Sequence, residues 1–456
     1  MAAFKIEFSN ERIIPNSGLS LVGALLEHSG FKQRVNAADI TGKRSGHQIK
    51  DGDIFTSFIA LGCMGKPDFT AIHEMDDDPE FYRASLGIDR IPSEESLRQR
   101  MDETGSSKRQ LLIKENVKLL LANGCLPSQI PEGFVPLDMD VTPQDNSKTK
   151  KEGVSRTYKG FDGMAPMMAY IGSQGYMINC ELREGKQHCQ NHTPEFLRET
   201  LELARSVTNA PLLARLDSGN DASENIGILM DDGCSFIIKR NLRQESREWW
   251  LEHVRGCCAD ITEPREGKRV YIGSTWKSVS WTGSDDAHRT EKVRAVYEIT
   301  ERTIDKHGQF LFPASVDVNM YWTNIGLSDR YVIGLYHAHG ESEQYHSEFK
   351  TDMDVERLPS GKFATNELVM ELCMISYNIL RMIGQESLGL DDAPMKKKVF
   401  RRRLRTVIEN LIMMASHITR HARQVVIGLG KSNAWRHCFR RVYHSFVDFP
   451  EYRVMA

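Results

Sequence analysis

Apolar residues recur at intervals of three and four through most of the first 130 positions, in IKDGDIFTSFIALGCM (49–64), FYRASLG (81–87) and KRQLLIKENVKLLLANG (108–124). That period predicts amphipathic helices. Pro92-Ser93-Glu94-Glu95 opens one of them, with a hydroxyl to cap free amides and acids at the positive end of the helix dipole. After residue 133 the period shortens. FVPLDMDVTP (134–143), APMMAYIG (165–172) and GYMINCELR (175–183) are short, apolar and bounded by turn residues, so three strands are expected in series. HTPEFLRETLELARSV (192–207) predicts a helix, with Thr193 as cap and Pro194 at its first position. PLLARLDSGN (211–220) predicts a fourth strand, DASENIGILMDDG (221–233) a helix and SFIIKRN (235–241) a fifth strand. From 241 to 325 the texture is β again, in KRVYIGSTW, RAVYEITER and FLFPASVDVNMYWTNI. A helix beginning near Ser328 carries YVIGLYHAHGESEQYHSEFK (331–350). The remainder predicts helices in ATNELVMELCMISYNILRMIG (364–384) and VFRRRLRTVIENLIMMASHITRHARQ (399–424).

The order β-β-β-α-β-α-β is that of the ribonuclease H-like (retroviral integrase-like) fold. The expected architecture is therefore an α/β catalytic core of that fold, with an inserted β-rich domain and flanking all-α N- and C-terminal regions. Five segments follow: a helical DNA-binding or assembly region (1–130), the first part of the core (131–240), the β-rich insertion (241–325), the second part of the core (326–380) and a basic helical region (381–456). At 456 residues the chain has ample length for a buried core.

Composition narrows the partners only locally. Lys and Arg number 59 against 62 Asp and Glu, a formal net charge of -3, so the whole-chain balance points to neither nucleic acid nor an anionic membrane. The basic residues gather at one end: from Arg381 onward there are 15 Lys and Arg against 6 Asp and Glu. Nine cysteines, two of them adjacent at Cys257 and Cys258, predict reduced thiols in a cytosol rather than a disulfide framework. No apolar stretch reaches the roughly 18 residues of a membrane helix, and the charged start MAAFKIEFSNER is unlike a signal peptide. A cytoplasmic protein with no membrane partner is expected.

Three acids sit where strands and helices should converge. Asp138 and Asp140 alternate with apolar residues in LDMDVT, which puts both on one sheet face. A carboxylate pair in an apolar strand is costly unless exposed, hydrogen-bonded or holding a cation. Asp217 ends an apolar strand just before a glycine turn. Tyr336, Glu343 and Lys350 are spaced by seven, so on one continuous helix they form a stripe that also holds His339. Two aspartates and a glutamate suit hard divalent ions, and the ring hydroxyl, imidazole and ammonium are groups able to grip phosphate. Taken singly, Asp140 and Asp217 could merely cap strands and Glu343 could be a solvated helix acid.

These motifs resemble the bacterial DDE insertion-sequence transposases, in particular the branch called the IS-thirteen-eighty family, over nearly the whole chain. SGLSLVGALLEHSGF (17–31), the stretch 46–87 and PSEESLRQRMDE (92–103) look like that family's leading helical region. LDMDVTP, RLDSGN and YHAHGESEQYHSEFK look like its three acidic elements, and DVERLPSGKFATNELVMELCMISYNILR (354–381) also resembles it. The last acidic element is similar to the Tyr-Arg-Glu-Lys signature of related transposases, with spacings 2, 3 and 6 intact. The resemblance implies that Asp140, Asp217 and Glu343 are catalytic and hold two Mg²⁺ ions, for which Mn²⁺ would substitute. Asp138 competes with Asp140 as first ligand. It also implies that Tyr336, His339 and Lys350 contact DNA near the scissile phosphate, although His339 stands where the signature has arginine and lacks its permanently charged fork.

An inserted β domain would account for the spacing of 126 from Asp217 to Glu343, and its Trp276, Trp281 and Trp322 could stack on a flipped base. Lys396, Lys397, Lys398, Arg401, Arg402 and Arg403 form the densest basic patch, which with Arg420, Arg423, Arg436, Arg440 and Arg441 is expected to meet DNA phosphates. Cys180, Cys189 and His192 have loosely zinc-like spacing without a fourth ligand. The implied activity is cut-and-paste transposition: a homodimer in the DNA complex binds terminal inverted repeats in double-stranded DNA, cleaves the ends and joins 3′-hydroxyls to target DNA, in a bacterial cytoplasm at the nucleoid. A nuclease of the same fold without strand transfer, or a catalytically decayed DNA-binding relative, are the alternatives.

Overall fold

A computed structural model of the protein describes residues 4–8, 10–42, 48–257, 260–421 and 424–448. The chain forms two compact units. One comprises Met1–Leu126, Gln144–Met164 and His346–Ala456; the other comprises Pro127–Pro143 and Ala165–Tyr345.

The second unit is built on a nine-stranded sheet. Its strands are β1 (Val135–Val141), β2 (Met167–Ile171), β3 (Tyr176–Glu181), β4 (Leu212–Leu216), β5 (Ser235–Arg240), β6 (Asp260–Arg265), β7 (Lys268–Thr282), β8 (His288–Ile304) and β9 (Phe310–Thr323). Its helices are α1 (Thr193–Val207), α2 (Ser223–Asp231), α3 (Arg247–Arg255), α4 (Asp329–His337) and α5 (Glu341–Ser347). The sheet runs β6-β7-β8-β9-β5-β4-β1-β2-β3. Strands β1, β4 and β5 are parallel neighbours, with β2 and β3 antiparallel beyond β1. With α1 before β4 and α2 before β5, the order 3-2-1-4-5 is that of a ribonuclease H-like core. Strands β2 and β4 are buried along their whole length, as strands covered on both faces must be.

The β-rich stretch expected as an insertion extends this same sheet. Strand β9 pairs antiparallel with β5, and β8, β7 and β6 follow outward. Helix α2 approaches β7 so closely that a Cβ on Gly227 would lie 2.2 Å from the Trp281 ring, which explains the glycine. Thr193 is not the cap of α1. His192 occupies that place with φ 62°, while the Thr193 hydroxyl donates to the Cys189 carbonyl.

In the first unit, helices Leu19–Ser29, Asp51–Cys63 and Arg109–Ala122 pack around the 24-residue helix Phe363–Glu386, which is buried through most of its length. Ser93 caps the helix Glu94–Thr104 as expected, accepting from the Ser96 amide at 3.2 Å.

The C-terminal region is not all-α. After a short helix (Leu404–Val407) the chain forms a hairpin, Ser416–His421 with Gln424–Leu429, and Ile13–Ile14 adds a third strand. Ser416, Ile418 and the exposed His417 alternate with period two, and the β-branched residues Ile418, Thr419, Val425, Val426 and Ile427 favour strands.

The expected single helix after Ser328 is also broken. Helix α4 ends in a 3₁₀ turn (Ala338–Gly340), α5 follows, and Glu348–Asp352 form a π-helical turn. A stripe at spacing seven does not survive these changes of pitch. No described helix is long and apolar enough to cross a membrane.

Candidate functional site

The site grows from the register of β1 against β4. Asp138 pairs with Arg215 and Met139 with Leu216, so Asp140 and Asp217 each follow the last paired residue of neighbouring parallel strands. Register with β5 pairs Arg215 with Ile237 and Leu216 with Ile238, and Lys239 follows in β5. Alternation puts Asp138, Asp140, Arg215, Asp217 and Lys239 on one face.

Asp138 and Arg215 form a bidentate pair beneath the two acids. Arg215 Nε donates to Asp138 Oδ1 at 2.6 Å and Nη2 to Oδ2 at 2.7 Å, with side chains only 3% and 4% exposed. Arg215 Nη1 donates to the Leu335 carbonyl of α4 at 3.0 Å. His339 Nδ1 lies 2.9 Å from Asp138 Oδ1. Burial alone would push the Asp138 carboxyl up, but the charges of Arg215 and His339 outweigh it and hold the group below the ordinary range. Burial likewise works against a charged His339, and the Asp138 carboxylate overrides it, so the imidazole titrates above its usual value.

Asp217 caps the short turn Ser218–Asn220, with Oδ1 accepting from the Gly219 amide at 3.1 Å and from Asn220 Nδ2 at 2.6 Å. Burial pushes its carboxyl up, against the opposing pull of the Gly219 amide and His339. Tyr336 packs on Tyr321, ring centres 4.7 Å apart, and lies 5.7 Å from the His339 ring. Its hydroxyl is pushed well up, first by burial and then by the charges of Asp217 and Asp140. Asp140, Asp217, Tyr336 and His339 thus share one electrostatic neighbourhood.

Other predicted residues lie differently. Glu343, one turn beyond His339 on α5, is exposed. Among the described residues no group of three or more His, Cys, Asp or Glu side chains stands close enough to hold a metal, which applies to Cys180, Cys189 and His192 as well. None of the eight described cysteines forms a disulfide; Cys258 lies outside the described residues. Trp281 and Trp322 are buried and donate to Asp231 and Asp221, whereas Trp276 is exposed. Lys350 Nζ lies 3.2 Å from Glu356.

The basic patch divides. Lys396, Lys397 and Lys398 are exposed, but Arg401 turns inward to Glu348 at 2.7 Å, Arg402 is buried over Trp435, and Arg403 clasps Asp352 at 2.8 and 2.9 Å. Arg420 pairs with Glu80 and Arg441 with Asp392; Arg423 lies outside the described residues. Sequence spacing did not single out Arg215 or Lys239, whose signal is their position in strands that pair with β1 and with each other.

The Asp140 and Asp217 pair offers only hard oxygen donors, and the raised Asp217 carboxyl marks a buried negative charge that a divalent cation would offset, so the donor set fits Mg²⁺. A ribonuclease H-like sheet with acids at the ends of its parallel strands defines the class: a DDE-type α/β protein. The chain matches the family model described as transposase DDE domain, group 1, over residues 2–450, and it belongs to that family, an enzyme of the transposase type. Among solved structures it is similar to a piggyBac transposase in a synaptic complex with hairpin DNA, at 12% identity and a TM-score of 0.38, covering 97% of this chain and 82% of that one. No curated protein matches the sequence.

Proposed function

We propose that this protein is a cut-and-paste DNA transposase of the IS-thirteen-eighty kind, binding the terminal inverted repeats of its own element, cleaving the ends and joining the freed 3′-hydroxyls to target DNA. The observation that supports this is the parallel register of Asp138 with Arg215 and Met139 with Leu216, after which Asp140 and Asp217 follow at neighbouring strand ends. Those two carboxylates would hold Mg²⁺, with Glu343 from α5 completing the set, and Mn²⁺ suits the same oxygens. When bound there, divalent metal would supply acidification of the attacking hydroxyl and charge stabilisation of the leaving oxygen.

In cleavage, a water oxygen bonds to phosphorus as the bond from phosphorus to the 3′ oxygen breaks, leaving a 3′-hydroxyl and a 5′-phosphate. In joining, that 3′ oxygen bonds to a target phosphorus and displaces a target 3′ oxygen, so one phosphodiester replaces another. Tyr336, kept protonated by burial, is suited to donate to a phosphate oxygen. His339, held by Asp138, supplies positive charge there. One site per element end calls for at least a dimer on DNA, matching the two-fold symmetry of paired ends.

The test is cleavage and joining on DNA carrying the element's own ends, with Mg²⁺ or Mn²⁺, by the parent protein and Asp217→Asn. End-specific cuts and joined products from pre-cut ends are expected of the parent, and binding without cuts from the variant. Cuts without joining would make the protein a nuclease; binding without cuts by the parent would make it a decayed relative.

A further inference from the structure

On the opposite face of the sheet from Asp217, a cavity of about 320 Å³ lies between the start of α2, the loop after β5 and strand β7. Arg240 follows Lys239 in β5 and so leaves the sheet on that other face, together with Trp322, which pairs with Ile238. Arg240, Arg243 and Lys277 all line the cavity. Arg240 lies over the Trp322 ring at 5.3 Å and Lys277 over the Trp250 ring at 5.1 Å.

Two carboxylates stand near these three cations, and both are filled. Glu245 accepts from Arg240 Nη1 and Trp250 Nε1 at 2.8 Å each, and from Lys277 Nζ at 3.1 Å. Hydrogen bonding to Arg240 above all pulls its carboxyl down to about 2, so it stays charged and engaged. Asp221 accepts from Trp322 Nε1 at 2.8 Å and the Asn241 amide at 2.9 Å, while its carbonyl takes Arg243 Nη2 at 3.0 Å. Two guanidinium groups and an ammonium carry 13 N–H donors by their chemistry, and Glu245 with the Asp221 carbonyl takes four of them. Helix α2 starts at the same cavity with Ala222 before it, so no side-chain oxygen caps its leading amides. A surplus of donors, one net positive charge and an uncapped helix start call for an anion rich in acceptor oxygens.

We infer that the Arg240, Arg243 and Lys277 cavity binds a phosphate group. The cavity opens just past the carboxyl ends of β4 and β5, four residues beyond Asp217, where DNA at the catalytic acids would also run. DNA as the source of the phosphate rests on the transposase reading; a free nucleotide shares the chemistry.

The test measures the salt dependence of binding to short duplex DNA for the full-length parent, Arg243→Glu and the milder Arg243→Gln. In parallel, thermal midpoints are read with inorganic phosphate and with thymidine monophosphate at constant ionic strength. Loss of a DNA phosphate contact should lower the slope of log affinity against log salt by about 0.9 and weaken binding roughly tenfold for Arg243→Glu. A midpoint rise with phosphate or nucleotide that vanishes in both variants, with unchanged duplex slopes, assigns the pocket to a free phosphate ester. Unchanged slopes and no such midpoint rise overturn the proposal. Cleavage by the parent is scored separately: a changed slope without any cleavage would sink the transposase reading and keep the pocket.

Discussion

Asp138→Asn isolates the buried pair beneath Asp140 and Asp217. The substitution keeps the shape of the side chain and removes its charge, leaving the Arg215 guanidinium at 3% exposure with no carboxylate and His339 without its partner. Removing one member of a buried ion pair costs about 3–5 kcal/mol, because the remaining charge stays out of water uncompensated. Removing both members costs less than the sum, since nothing charged is left behind. Asp138→Asn and Arg215→Met should each destabilise by about that amount, and the double variant should recover roughly 1–3 kcal/mol relative to additivity. The assay is denaturant unfolding at neutral pH without divalent ions, with native circular dichroism as a check on each variant. A single-variant loss below about 1 kcal/mol, or strict additivity, would show that the pair is not coupled and refute this reasoning.

Asp217→Asn should raise unfolding stability by about 0.5–2 kcal/mol at neutral pH, because burial penalises the ionised carboxyl. For a raised carboxyl the stability is present below its unfolded value and fades as pH rises through the folded one, so the gain should shrink in acid, as paired melts at two pH values would reveal. His339 titrates upward beside Asp138, so its contribution is complete below about pH 6.5 and is lost as pH climbs through the higher folded value; His339→Gln should flatten that part of the stability profile. His339→Arg should set two guanidinium groups against one carboxylate and cost about 1–3 kcal/mol, with a rise in stability or DNA affinity counting against the geometry. Arg401→Ala should lose about 1.5–3 kcal/mol by stripping a charged hydrogen bond from buried Glu348. Replacing Lys396, Lys397 and Lys398 by Ala should change stability by no more than about 0.5 kcal/mol while weakening duplex binding in a salt-dependent way.

How far the chain could be read depended on whether the deciding interaction was local. Period-two and period-3.6 patterns follow from which side of an element faces the core, so the five core strands, α1 and α2 were all legible as patterns in one dimension. The position of Asp217 at the end of an apolar strand before a turn, and the alternation of Asp138 and Asp140 within another, were also readable locally. The hairpin at 416–429 was misread as helix because its basic and β-branched residues continue an apparently amphipathic run. Pairing partners, Ile13 and Ile14 among them, lie some 400 residues away.

Only the tertiary structure decided which acid of LDMD is tied into the buried ion pair. Asp138 and Asp140 look alike in sequence, and it is Arg215, 77 residues on, whose register neutralises the first. The same holds for the arginines at 401–403. As a string they are a positive patch, but Glu348 and Asp352 draw two of them into ion pairs, while Arg402 buries its stem against Trp435. A charge's role depends on what lies within a few ångströms of it, and that distance is set by folding.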